Sequence, residues 1–310
     1  MDRSATILAC CAVAVVALGP GTIHEAWAGD SLACRELAQD YAAAKRSLVD
    51  RQVNGYLSRA AKTGCAELAS ELLKDGASVH ARRREGDTAL HHAVKAAQPD
   101  VAAILLEHGA DVELRDLSGA TPLYLAIEAN RPKTVALLLD RGANVNRPGR
   151  SAVAPIAVAA FNGNAPIVNA LLDKGADANA RDNTGKSAIV YAAARGFTGI
   201  VDRLLGAGVD VNARYSNELT VLMWAAGHAN DVPEGDGLDT VALVLSRGAR
   251  LDAQDDRGRT ALMIAAEPGH GAIIDLLLAK GARADIRDKE GYTAADLAPA
   301  DIKPKLQQQR

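Results

Sequence analysis

The sequence predicts an all-α repeat solenoid, and three observations carry that prediction. Thr88, Thr121, Ala154, Ser187 and Thr220 follow one another at intervals of 33 residues; Thr260 comes 40 later and Thr293 a further 33. A second ladder, Gly76, Gly109, Gly142, Gly175, Gly208, Gly248 and Gly281, keeps the same interval and makes the same seven-residue slip. Two ladders that share one period and one interruption mark a stacked array of short units. The composition agrees: 48% of the 310 residues are apolar but only 3% aromatic. Thin layers of Ala and Leu packing on their neighbours need few large rings, whereas a single enclosed core would use more.

The elements follow in chain order. Met1 to Ser4 is a short polar start with one Arg, Ala5 to Leu18 is an apolar run, and Gly19-Pro20 and Ala26-Trp27-Ala28 come next. This is the layout of a secretory signal peptide, predicted to occupy residues 1–28 and to leave a chain beginning at Gly29. The apolar run is shorter than the roughly 20 residues a membrane-spanning helix needs. The expected location is therefore periplasmic, with secretion as the alternative and no membrane association after cleavage. Cys10 and Cys11 would leave with the leader, so Cys34 and Cys65 remain as an even pair. An oxidising compartment lets them bridge; a buried free pair is the alternative. Residues 29–52 are assigned to an N-terminal capping helix. It reads as one helix from Ser31 to Asp50, with Leu32, Leu37, Tyr41, Ala44 and Leu48 facing the array. A Cys34–Cys65 bond would fasten the cap to the first repeat, and the loop it closes is worth about 3–4 kcal/mol.

Residues 53–290 are read as about seven repeats of one plan, which Gly86 to Gly119 show well. Gly86-Asp87-Thr88 makes a turn, and the Thr88 hydroxyl is placed to accept the free N–H groups of a helix start. Ala89 to Ala96 form a short first helix. Gln98-Pro99-Asp100 is a break, with Pro in the first-turn position it tolerates. Val101 to His108 form the second helix, and Gly109 ends it with a positive φ. An extended finger then runs to Asp116-Leu117-Ser118-Gly119. These residues resemble the ankyrin repeat. Thr121-Pro122-Leu123, Leu138-Leu139 and Gly142-Ala143-Asn144-Val145-Asn146 carry the likeness, as do Leu171-Leu172, Gly175-Ala176-Asp177 and Asn179-Ala180-Arg181-Asp182. The resemblance implies a curved stack of helix pairs with β-turn fingers on one edge and a cap at each end.

Departures from the motif locate the irregular parts. The motif's His, three residues after the Thr, is present only as His91; Tyr124, Ala157, Val190, Met223 and Met263 replace it. Apolar packing is therefore expected to carry more of the stability. The finger Gly is missing at Ala152 and Glu218, so the fingers Arg147 to Arg150 and Tyr215 to Asn217 are expected to be the least regular. Extending the Thr ladder back one unit reaches Gly55, the start of a degenerate first repeat. The seven-residue slip reads as an acidic insertion near 228–237. Residues 291–310 read as a half-repeat cap and a polar tail.

Composition and motifs narrow the function. The formal net charge of −3 gives no basic footprint for nucleic acid. No nucleophile elbow, phosphate-binding loop, zinc-protease helix or Cys-x-x-Cys occurs, so no catalytic residue, metal or cofactor is assigned and the chain is read as non-enzymatic. His91-His92 is no metal pair, because adjacent helical residues point about 100° apart. What remains is surface: a monomeric interaction scaffold whose partner is a protein. It is read as a partner or protector of another exported protein, with a secreted effector or immunity-type protein and an unrecognised enzyme as alternatives. From the resemblance, partners are expected at the finger tips and inner helices. The candidates are Leu117, Arg150, Asn183 and Tyr215 on fingers, and Phe161, Arg195, Trp224 and His228 on inner helices. Phe161 and Tyr215 lead, because exposed aromatic residues favour binding hot spots.

Overall fold

The computed structural model describes residues 31–227 and 234–307. The signal-peptide assignment, His228 and the first half of the insertion lie outside the described residues. The first helix, α1 (Leu32–Ala44), begins where Ser31 accepts the Cys34 N–H at 3.3 Å. Cys34, Leu37, Ala38 and Tyr41 form its buried stripe, spaced as one helical face requires. Leu32 is exposed instead, because the stripe starts two residues later. The single helix expected from Ser31 to Asp50 is also broken. A 3-10 turn at Lys45–Ser47 ends it, Leu48 is extended, and α2 (Asp50–Thr63) starts after Val49, whose N–H donates to Gln52 Oε1 at 3.0 Å.

From α2 onward the chain alternates inner and outer helices. The inner series is α2, α4 (Ala89–Lys95), α6 (Pro122–Glu128), α8 (Pro155–Phe161), α10 (Ala188–Ala194), α12 (Val221–Ala226), α14 (Ala261–Ala266) and α16 (Ala294–Leu297). The outer series is α3 (Ala66–Lys74), α5 (Pro99–Glu107), α7 (Pro132–Asp140), α9 (Ala165–Asp173), α11 (Thr198–Gly206), α13 (Glu234–Ser246) and α15 (Gly271–Ala279). Each inner helix packs on its own outer partner and on the next inner helix, and the outer helices stack likewise. The described residues thus form an all-α solenoid with no strand among them. Its core is a continuous column of small and branched residues, such as Ala126, Ala159, Ala192 and Ala225 beside Leu105, Leu138, Leu171 and Leu204. Within the Leu171-Leu172 pair, Leu171 is the fully buried one and Leu172 only partly so.

Helix starts show how local chemistry sets the repeat. Thr121, Thr220 and Thr260 accept the N–H three residues on, from Tyr124, Met223 and Met263. At Thr88 the partner residue answers back: His91 Nδ1 accepts the Thr88 N–H at 3.2 Å and meets its hydroxyl at 2.8 Å. Where His is replaced, Met223 Sδ lies 3.3 Å from the Thr220 N–H, and Asp296 accepts from both Thr293 N–H and hydroxyl.

Both ends are closed. Cys34 and Cys65 are buried and their sulfurs sit at bonding distance, 2.12 Å, with 5.3 Å between Cα atoms. Tyr41 donates to Asp75 at 2.6 Å, and Lys45 pairs with both Glu71 and Asp75. Burial and that hydrogen bond push the Tyr41 pKa up to about 12. At the far end the expected polar tail folds back: α17 (Lys303–Gln307) buries Leu306, and Lys305 pairs with Asp275 at 2.7 Å. The insertion lengthens α13 to 13 residues, where its neighbours α11 and α15 have nine. Asp236 and Asp239 therefore lie on a helix and not in a loop.

Candidate functional site

Four regular fingers share one construction. Asp116 Oδ1 accepts the N–H groups of Ser118 and Ala120 and the Ser118 hydroxyl. Asp182, Asp255 and Asp288 repeat the pattern at the same rung, and each turn ends on a positive-φ glycine: Gly119, Gly185, Gly258 or Gly291. Burial works against ionisation of Asp116 and Asp182, but the donated hydrogen bonds outweigh it and lower both pKa values. The two fingers expected to be irregular lack both residues. Ser151, Ala152, Asn217 and Glu218 all have left-handed φ, from 54° to 61°, a region that penalises side chains. An aromatic ring replaces the carboxylate in both. Tyr124 lies so close under Gly149 that a Cβ there would meet the ring at 2.4 Å. Tyr215 occupies the Asp rung itself.

That last observation corrects one candidate. Tyr215 is only 5% exposed, with the Arg181 guanidinium 4.8 Å from its ring centre. Burial raises its pKa, against the opposing effects of Ser187 and Arg181. It is a finger's core residue, because the hairpin turns the Asp-rung side chain inward. The other finger candidates are at the surface. Leu117 is 75% exposed, Arg150 pairs loosely with Glu128 at 3.8 Å, and the Asn183 N–H donates to Ser151 O.

Of the inner-helix candidates, Phe161, Arg195 and Trp224 lie along one run of contacts, while His228 is outside the described residues. Phe161, at the end of α8, is 47% exposed and meets Tyr191 edge-on at 5.9 Å. The Arg195 guanidinium lies 4.8 Å from the Phe161 ring centre and 5.6 Å from that of Phe197. The Lys186 amine lies 6.0 Å from Tyr191 and 5.1 Å from Trp224. One connected run results: Phe197, Arg195, Phe161, Tyr191, Lys186 and Trp224. Such cation–ring contacts are worth about 0.5–2 kcal/mol each, more as water is excluded. Tyr191 also donates to Asp182, and burial with that bond pushes its pKa up to about 12. Arg195 Nε and Trp224 Nε1 are buried without a hydrogen-bond partner among the described residues. The patch therefore offers apolar area and two cations, with two unpartnered donors enclosed beneath it.

Sequence reasoning missed Tyr191, Lys186 and Phe197. Tyr191 and Trp224 stand on one rung, 33 residues apart, with Val158 one rung earlier. Reading that rung down the array would have exposed them as inner-face neighbours. His91 is fully buried, and among the described residues no cluster of three His, Cys, Asp or Glu side chains is placed to hold a metal ion.

The family model for ankyrin repeats (three copies) matches residues 57–148, 156–234 and 232–300. The chain is an ankyrin-repeat protein. Comparison with curated proteins returns no match. Ankyrin repeats are protein–protein interaction modules, typically without catalysis, and here Phe161, Tyr191 and Trp224 stand on the inner helices of the ankyrin stack, with Lys186, Arg195 and Phe197 in the segments that flank α10. Among the described residues no helix is long and apolar enough to cross a membrane.

Proposed function

We propose that this ankyrin-repeat protein is a non-enzymatic binding scaffold for another exported protein, working in the periplasm. The observation that carries the reading is the run Phe197–Arg195–Phe161–Tyr191–Lys186–Trp224. Arg, Trp and Tyr are the residue types that dominate binding hot spots. Arg195 is held by the rings of Phe161 and Phe197 and forms no ion pair with a carboxylate among the described residues, so its charge remains for an acidic group on a partner. The Cys34–Cys65 pair and the leader-like start support export. A rigid repeat array presents such a surface with little ordering cost on binding.

The test is affinity capture from periplasmic extract with the wild-type protein, Phe161→Ala and Arg195→Ala as parallel baits. The expected result is a partner retained by wild type and lost from both variants, with unchanged melting temperatures. A partner held equally by all three baits would move the interface elsewhere. Fractionation tests the location: protein found in the cytoplasm would refute export.

A further inference from the structure

The first repeat differs from the rest at its inner edge. Gly55 occupies the rung that Thr or Ser fills at most helix starts, yet here the helix continues through it: α2 has 14 residues and α4 seven. The extra turns stand where a preceding finger would be. Between them and the first finger lies a cleft of about 900 Å³, lined on one side by Arg51, Gln52, Gly55 and Ser58 and on the other by Arg82, Arg83, Arg84 and one carboxylate, Glu85. A smaller cleft of about 220 Å³ continues along the same helix past Ser58 and Arg83 to Lys62 and His92. Arg51, Gly55, Ser58 and Lys62 are spaced four, three and four residues apart, so they share one helix face. Two small residues form the floor, with cations at both ends.

Two residues here are costly choices without a structural reason. Gly55 has neither a positive φ nor a crowded surrounding; an added Cβ would meet only Arg83 Nη1, at 3.9 Å. A mid-helix glycine weakens a helix relative to alanine. Arg83 stands on the rung where Asp116, Asp182, Asp255 and Asp288 are buried and accept turn N–H groups. Here the side chain is exposed instead, and its backbone alone closes the turn through Arg83 N to Asp87 O. Both departures open the cleft and charge it. Gln52 and Asn54 spend their carbonyl oxygens on the N–H groups of Val49 and Ser78, which leaves their amide N–H groups as further donors.

We infer that this cleft binds an extended acidic peptide segment of a partner, its carboxylates paired with Arg51, Arg83 and Arg84. Planar guanidinium groups match carboxylates with two parallel hydrogen bonds. The stretch of α2 from Arg51 to Lys62 is about 16 Å long, the span of roughly five extended residues, which suits a strand of spaced charges better than one compact anion. No Phe, Tyr or Trp lines either cleft, so a nucleic-acid strand would find none of the large rings on which successive bases stack.

The experiment is fluorescence anisotropy with the purified full chain and a labelled peptide of alternating Glu and Gly, beside its Gln counterpart. The readout uses no cellular partner, so it stands or falls independently of the Phe161–Arg195 surface. Wild type is expected to bind the Glu peptide, to ignore the Gln peptide, and to weaken as salt shortens the screening length toward about 8 Å. Arg83→Ala and Arg84→Glu should each weaken binding by about tenfold or more. Gly55→Leu should abolish it by filling the floor, with helical content retained; Gly55→Ala, which adds one methyl, controls for folding. Equal binding of both peptides, or wild-type affinity in Arg83→Ala and Gly55→Leu, overturns the inference. So does displacement of the peptide by polyphosphate or a single-stranded oligonucleotide at lower charge concentration, which would mark a general polyanion site.

Discussion

The finger at 116–119 and the finger at 215–218 connect the same kinds of helices through different chemistry. In the first, the Asp116 carboxylate gathers the turn N–H groups and Gly119 takes the left-handed φ. In the second, the Tyr215 ring fills that space, the turn loses its acceptor, and Asn217 and Glu218 are both held left-handed. The finger at 149–152 repeats the second solution with the ring of Tyr124. The two ring-filled fingers lead into α8 and α12, on either side of α10, so they bracket the helices that carry Phe161, Tyr191 and Trp224. One kind of finger rests on polar satisfaction and the other on apolar filling at the expense of backbone strain.

The largest expected effect separates these two mechanisms. Tyr215→Ala should cost about 3–5 kcal/mol, because a buried ring leaves a cavity that rigid neighbours cannot close. Tyr215→Phe should cost far less. Urea denaturation of both variants checks this, and equal losses would mean that the hydroxyl and not the ring holds the finger. Reduction of the Cys34–Cys65 bond, at sequence separation 31, should cost about 3–4 kcal/mol through loop entropy. It should loosen α1 while leaving both kinds of finger intact, as hydrogen exchange would show.

Next in size, Asp116→Ala should cost about 1–3 kcal/mol by leaving turn donors without an acceptor. The pH dependence follows from the lowered pKa values of Asp116 and Asp182. Their contribution is fully present above the unfolded value of about 3.9 and is lost as pH falls through the lower folded values. Asp116→Asn should therefore lose less stability than wild type on acidification, measured by thermal melts at a series of pH values. Restoring the regular pattern with Gly149→Asp should fail, since the Tyr124 ring already fills the space where the Cβ would stand.

These contrasts also mark what the sequence made legible. The period, the helix-pair plan and the all-helical solenoid followed from the Thr and Gly ladders, because each ladder residue does a local job at a helix end. The irregular fingers were legible from the missing glycines at Ala152 and Glu218. Tyr215 was misplaced because its rung, not its residue type, decides burial: the hairpin aims that position inward whatever stands there. The cap's true face was missed because Leu32 looks apolar but precedes the stripe that Cys34 begins. The link from Tyr191 through Lys186 to Trp224 was hidden because it joins neighbouring repeats, and one repeat read alone does not show its neighbour. The basic cleft was hidden for a similar reason: the ladder marks Gly55 as a helix start, and only the continuing α2 turns it into a floor.

The smallest predicted effect is the one that tests the comparison most directly. Ala152 holds φ at 59°; a left-handed residue with a side chain costs about 1–2 kcal/mol. Glycine removes that cost but loses more entropy on folding, about 0.5–1 kcal/mol. Ala152→Gly should therefore raise stability by about 0.5–1 kcal/mol. Gly119→Ala, at φ 83° in a regular finger, should lower stability by a similar amount. Opposite signs from reciprocal changes at one rung, read from urea midpoints, are what a strained finger beside a relaxed one requires. If Ala152→Gly instead loses stability, the 149–152 turn is not held left-handed in solution, and the contrast between the two kinds of finger collapses to Tyr215 alone.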